Sequence, residues 1–147
     1  MKQRSRRVTL FFFSLIFLAL APACQKKAPS PDYPQLLGAW QGVTYQDKQI
    51  QFSISNTDKI LYVTHYKIII NFPAGGQQTL QRHVSTGIVA LNGTYFKISL
   101  GNGTYGEAYL DGSFNLVTMA LTGSFRIYNP AVPNDYATGF YTAGKTK

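Results

Sequence analysis

From Gln49 to the carboxyl end, apolar and polar residues alternate with a period of two along most of the chain. In QIQFSIS, Ile50, Phe52 and Ile54 alternate with Gln49, Gln51, Ser53 and Ser55, the pattern of a strand buried on one side. NTDK then turns the chain. The run ILYVTHYKIIINF sets Ile60, Tyr62, Tyr66, Ile68, Ile70 and Phe72 on one face, is long enough to bend, and is ended by PAGG. LNGTYFKISL opens with the hairpin dipeptide Asn92-Gly93 and aligns Phe96, Ile98 and Leu100. YGEAYLDGSFNLV carries a second such dipeptide, Asp111-Gly112, which predicts another hairpin. In ALTGSFRIY, Leu121, Phe125 and Ile127 alternate with Thr122, Ser124 and Arg126, and after the loop NPAVPND the stretch YATGFYTAG predicts a closing strand. No segment has helical periodicity. Short strands joined by tight turns predict an all-β fold, a single antiparallel β-sandwich or up-and-down β-barrel of about eight to ten strands.

The first thirty residues break this pattern. KQRSRR, residues 2 to 7, carries four basic residues and no acid, and the 14 residues from Val8 to Ala21 carry no charge. A cationic segment followed by a short apolar one is the layout of a secretory signal. A membrane-crossing helix takes about 20 apolar residues, and a buried core helix would keep a polar face that this run lacks. QKKAPSPDYP follows, rich in proline and without an aliphatic side chain larger than alanine. Extended chain of this kind covers about 3.1 Å per residue, so it reaches about 30 Å from a membrane. The chain therefore divides into a signal peptide (residues 1–23), a tether beginning at Cys24 (residues 24–34) and a β-domain (residues 35–147).

Cys24 is the single cysteine of the chain. It has no partner for an internal disulfide, and a free exported thiol is prone to oxidation. The residues before it, Leu20-Ala21-Pro22-Ala23, resemble the lipobox of bacterial lipoproteins, with alanine where leucine is usual and proline at the middle position. The resemblance implies a diacylglycerol thioether on Cys24, carrying palmitate-type chains. Each buried methylene contributes about 0.8 kcal/mol, so two or three chains anchor a protein durably where one does not. The alternative is an ordinary signal-peptidase cut after Ala23 that leaves a free amino-terminal cysteine. Gln25 stands where an aspartate marks inner-membrane retention in enterobacterial lipoproteins, which implies the outer membrane, on its periplasmic or surface face.

A second resemblance lies at the start of the β-domain. Gly38-Ala39-Trp40 is similar to the Gly-x-Trp that opens the first strand of lipocalins and other calycins, and implies that Trp40 plugs one end of a barrel. PQLL before it matches the short 3₁₀ turn of those folds. The wider pattern resembles small exported bacterial β-domains: Gly-x-Trp-x-Gly, a mid-chain Asn-Gly-x-x-Phe, then DGSF, LTGSF and a closing aromatic strand. Such domains are mostly of unassigned function.

Charge and candidate chemistry then exclude more than they propose. The formal charge of +8 includes the four basic residues of the signal. From Tyr33 onward eight basic residues stand against five acids and are scattered singly, whereas a nucleic-acid binder concentrates them in a patch. No nucleic-acid partner is expected. His65 and His83 are the only histidines, too few for a zinc site needing three or four ligands. Both are expected on solvated strand faces, with no metal and no cofactor. Asp47, Asp58, Asp111 and Asp135 sit in turn-like sequence, where aspartate bonds its own backbone. Glu107 alone lies in a strand, so no carboxylate pair is set up for glycoside hydrolysis. Neither a serine elbow nor a phosphate loop occurs. The Asn-Gly-Thr sequons at Asn92 and Asn102 are turn sequence in a bacterial lipoprotein.

Aromatic content supplies the one candidate surface. Tyr95 and Lys97 fall opposite the Phe96/Ile98 face, Tyr105 and Tyr109 flank Glu107, and Arg126 and Tyr128 share a face with Thr122 and Ser124. If these strands are neighbours, they make one Tyr/Lys/Arg/Glu surface. Rigid amphipathic rings suit contact with sugars or proteins; the high strand propensity of tyrosine and cross-strand ring pairing account for them without any partner, and that is the simpler reading. The resulting expectation is a non-catalytic, lipid-anchored envelope module that binds an envelope protein or glycan or plays a structural part. One alternative is a calycin-like carrier with an apolar ligand in a cavity of about 300 Å³ or more, lined by Ile60, Tyr62, Tyr66 and Ile68. Another is a small hydrolase or hydrolase inhibitor, which requires Glu107 and a second carboxylate, or His65 and His83, to meet in one cleft.

Overall fold

The computed structural model describes residues 33–103 and 106–147. A 3₁₀ turn, Pro34–Leu36, leads into β1 (Gly38–Thr44), β2 (Gln49–Thr57), β3 (Ile60–Asn71) and β4 (Gln77–His83). The two-residue β5 (Val89–Ala90) precedes β6 (Tyr95–Gly103), β7 (Gly106–Asn115), β8 (Ala120–Tyr128) and β9 (Tyr136–Lys145). The expected all-β antiparallel fold is present, and of its two alternatives, sandwich and barrel, one curled sheet corresponds to the barrel. Its spatial order is β4-β3-β2-β1-β9-β8-β7-β6, with β5 paired to β3. Two four-stranded meanders are thus joined where the first strand meets the last, from Trp40↔Lys145 to Thr44↔Tyr141.

The sheet curls around one core. Phe52 on β2 meets Phe96 on β6 with ring centres 5.4 Å apart, although these strands lie far apart in the strand order. Trp40 on β1 meets Phe114 on β7 edge-on at 4.7 Å. Burying each such ring contributes about 1.5–3 kcal/mol, which is what draws the two arms of the sheet together. Among the described residues no ladder joins β4 to β6, so the structure is a barrel open along that seam.

Turn chemistry sets most of the connections. Asp58 and Lys59 both have positive φ (51° and 66°) and close a two-residue hairpin between Thr57 and Ile60. Asn92-Gly93 makes the expected tight turn, with Asn92 and Tyr95 exchanging both backbone hydrogen bonds and Gly93 at φ 64°. Asp111-Gly112 does not. It lies in the middle of β7, and the chain turns instead after Asn115, whose side-chain oxygen accepts the Val117 and Thr118 N–H groups. An Asp-Gly pair signals a hairpin only where its neighbours do not continue the ladder. Here Phe114 is still needed inside against Trp40.

β3 bends through a bulge. Ser53 faces His65 but Ile54 faces Val63, so Thr64 is an extra residue in the ladder. Its buried hydroxyl donates to the Ser53 carbonyl and meets the Ser55 hydroxyl, both at 3.3 Å. The bulge exchanges the two faces of the strand: Leu61 and Val63 point inward before it, Tyr66, Ile68 and Ile70 after it. Ile60 is consequently exposed and Tyr62 half-buried on the outside, so the single apolar face expected for this segment is two faces.

Candidate functional site

The inward positions of β6 to β9 include Phe96, Ile98, Leu110, Phe114, Leu121, Phe125, Ile127, Ala137 and Tyr141. Strand alternation then forces the intervening residues onto the outer face. Cross-strand register arranges them in rows: Ser99, Tyr109, Arg126 and Thr138 in one, Tyr95, Ser113, Thr122 and Thr142 in another. Tyr128 pairs with Tyr136. The sheet therefore brings Tyr95, Lys97, Glu107, Tyr109, Arg126 and Tyr128 together on one surface. Tyr105 lies outside the described residues, as do Cys24 and the chain between it and Tyr33.

Lys97 and Glu107 form an ion pair at 2.6 Å, both half in solvent, and the Lys97 ammonium stands 5.0 Å from the centre of the Tyr109 ring. The hydrogen bond from Lys97 to Glu107 raises the Lys97 pKa. The Arg126 guanidinium lies over the Tyr136 ring at 4.6 Å and the Tyr128 ring at 5.6 Å, and the Tyr128 hydroxyl donates to the Gly106 carbonyl. Cation and ring thus hold each other in place.

Beside these pairs the face opens into a groove of about 400 Å³, lined by Tyr45, Tyr109, Ser124, Phe125, Thr138, Gly139 and Phe140. Phe140 is 73% exposed and Tyr45 57% exposed, while the hydroxyls of Ser124 and Thr138 give the groove polar groups. Gly139 is needed here. A Cβ at that position would run into the Tyr45 ring, which stacks on Phe125 at 6.1 Å. Gln46, next to Tyr45, exchanges two hydrogen bonds with the Asn71 backbone and pins this loop to the end of β3.

The groove rests on an unusual stretch of sheet. The β7–β8 ladder runs through Leu110↔Phe125 and resumes at Ser113↔Thr122. In the gap, side chains take over from backbone. The Asp111 carboxylate accepts the Ser124 N–H at 2.8 Å and the Ser124 hydroxyl at 3.0 Å, and the Tyr141 hydroxyl donates to the Asp111 carbonyl. A Cβ on Gly112 or Gly123 would collide with the Tyr141 phenol, so both glycines make room for it. Asp111 is therefore a ladder-mending residue and not the turn residue its sequence predicts. Asp47 and Asp58 do lie in turns, and Asp135 in the loop before β9 accepts from Asn129 and from the Ala74 N–H.

Burial first, and the Asp111 charge second, push the Tyr141 phenol well above the ordinary tyrosine range. As pH rises past about 10, phenols ionise in the unfolded chain while Tyr141 in the folded one cannot. The unfolded state then holds fewer protons, so this contribution to stability is full below pH 10 and falls as pH rises. Tyr141→Phe is expected to make the alkaline fall in stability shallower by about 1.4 kcal/mol per pH unit. It should also cost about 1 kcal/mol near neutrality through the lost hydrogen bond. Urea unfolding at a series of pH values measures both, and equal alkaline slopes would overturn the assignment. Tyr66, raised by burial against the pull of Arg82, leaves part of the alkaline limb in place.

Trp40 is buried among Leu36, Phe114 and the start of β1, and its indole N–H donates to the Leu36 carbonyl at 3.0 Å. The 3₁₀ turn expected before it is present and covers that end of the core. His65 and His83 stand on the outer face of β3 and β4, His65 half-buried and His83 exposed. Glu107 meets Lys97 rather than a second carboxylate, and among the described residues no group of three or more His, Cys, Asp and Glu converges.

Sequence reasoning missed Tyr45, Tyr136, Thr138 and Phe140. In YATGFYTAG the adjacent Phe140 and Tyr141 are both large and aromatic, so alternation alone does not say which faces in. Ala137 and Ala143, small residues spaced around Tyr141 on its face, are the signal that could have decided it. No family model matches this chain, and neither a curated protein nor a solved structure does.

Proposed function

We propose that this chain is a lipid-anchored lipoprotein of the bacterial envelope, held through Cys24, whose β-domain is a non-catalytic binding module. The observation that carries the binding role is the groove framed by the exposed Tyr45 and Phe140 rings, on a face otherwise built of paired charges and hydroxyls. Rings that face water over polar groups suit the alternating apolar and hydroxyl surfaces of a glycan. An envelope protein is the other partner class that this surface fits. The carrier alternative is less well supported, because Trp40, Phe52, Phe96, Phe114 and Tyr141 fill the interior in mutual contact. A hydrolase has less support still, with Glu107 tied to Lys97 in the open.

Two measurements test the two halves. The parent protein and Cys24→Ala are expressed in a bacterium, fractionated and weighed intact. The parent is expected in the membrane fraction with a lipid adduct that Cys24→Ala lacks; a parent without adduct removes the anchor. Unanchored protein is then incubated with purified peptidoglycan sacculi, where retention should fall on Phe140→Ala substitution. Equal retention of the two removes the groove as a glycan site.

A further inference from the structure

Independently of that reading, the sheet brings together the two histidines that the sequence leaves far apart. β3 and β4 pair with His65 directly opposite His83. The ladder also fixes which kind of pair this is. Phe72 N–H donates to Gly76 O, and Val84 N–H to Thr64 O. Antiparallel ladders alternate hydrogen-bonded and non-hydrogen-bonded pairs. The positions in phase with Phe72/Gly76 and Thr64/Val84 are the bonded ones, and His65/His83 falls between them. It is a non-hydrogen-bonded pair, the type in which opposite side chains stand closest. The rings are 5.9 Å apart between centres and tilted by 50°, on the outside of the sheet.

This spacing is close to that of two imidazoles sharing a metal. With metal–nitrogen distances of about 2.0–2.1 Å and square-planar or tetrahedral angles, one nitrogen from each ring on a common ion places the ring centres about 4.5–5.2 Å apart, which a small rotation of the exposed His83 side chain reaches. β4 is the edge of the sheet, so among the described residues no further strand crowds the outer side of the exposed His83, and water has access to the remaining coordination positions. Ser53 flanks His65 on the inner side of the row, and Lys67 faces Gln81 in the adjoining row. The Lys67 charge and the shortage of carboxylates work against hard, oxygen-seeking ions such as Ca²⁺ and Mg²⁺. Neutral imidazoles suit copper, nickel and zinc, with Cu²⁺ held tightest.

We propose that His65 and His83 form a two-imidazole chelate for a divalent transition metal, clamping the edge strand β4 to β3, with water completing the coordination shell. Neither histidine is part of the core, so replacing either by glutamine should leave the fold intact.

The test titrates CuCl₂ into the full-length parent, His65→Gln and His83→Gln, each checked for folding by circular dichroism; any binding at Cys24 is common to all three. The parent is expected to bind one more equivalent than either variant at low copper, with nitrogen hyperfine splitting from two imidazoles in its electron paramagnetic resonance spectrum. The second imidazole acts at the high effective concentration fixed by the sheet, so each variant should lose about a hundredfold in affinity at this site. Equal affinity and stoichiometry in all three proteins would overturn the proposal. So would a parent spectrum without imidazole nitrogens, a readout that needs no variant to fold.

Discussion

Gly42→Ala is expected to separate the two halves of the sheet. Gly42 sits in β1, between Ile50 of β2 and Ala143 of β9, in the ladder that joins one meander to the other. A Cβ there would overlap the Thr142 carbonyl and the Ala143 Cα, which are backbone atoms and cannot rotate away. Relief requires β9 to move off β1, and that breaks ladder bonds along the join. Overpacking of this kind costs about 3 kcal/mol, a large part of the about 5–15 kcal/mol that holds a domain folded. Gly144→Ala is the matched control. It lies in β9 two residues beyond Thr142, has open space where its Cβ would go, and should be neutral or slightly stabilising. Urea midpoints of the three proteins decide the matter. A Gly42→Ala midpoint equal to that of the parent would mean that the β1–β9 join is loose enough to take a methyl group.

Trp40→Ala should be the most damaging truncation in the core, at about 3–5 kcal/mol. The indole is 1% exposed, meets Phe114 edge-on and bonds the Leu36 carbonyl. Its loss empties the end of the barrel that the 3₁₀ turn covers, and also loosens the chain entry that Lys145 ties down through the Gln35 carbonyl. Trp40→Phe separates the two effects. It keeps most of the packing but leaves the buried Leu36 carbonyl without its donor, at a cost of about 1–3 kcal/mol. If Phe and Ala at this position prove equally damaging, the hydrogen bond outweighs the packing and the plug description fails.

These two positions also show how far the sequence could be read. Trp40 was legible as a buried residue after a short turn, because Gly-x-Trp and the apolar leucines ahead of it are local features. Gly42 was legible only as the last position of Gly-x-Trp-x-Gly, and nothing beside it in the chain says why glycine is needed. What makes it indispensable is the approach of β9, which comes from the far end of the chain. The same division runs through the candidate site. Tyr95, Lys97, Glu107, Tyr109, Arg126 and Tyr128 could be assigned to outward faces because each strand alternates. Tyr45 and Phe140, which frame the groove, could not, since one sits in a turn and the other beside an equally large aromatic. Asp111-Gly112 misled for a related reason: turn propensity is local, and the demand for Phe114 inside the barrel is not.

The sequence alone determined the strand-forming period, most of the turns and the presence of a solitary cysteine. Each is written in residues that are neighbours along the chain. Only the tertiary structure decided that β1 meets β9, that a bulge at Thr64 reverses the faces of β3, and that His65 stands opposite His83. Those outcomes depend on strand order and register, which are set by the packing of distant segments around a shared core, and no short window of residues carries that information.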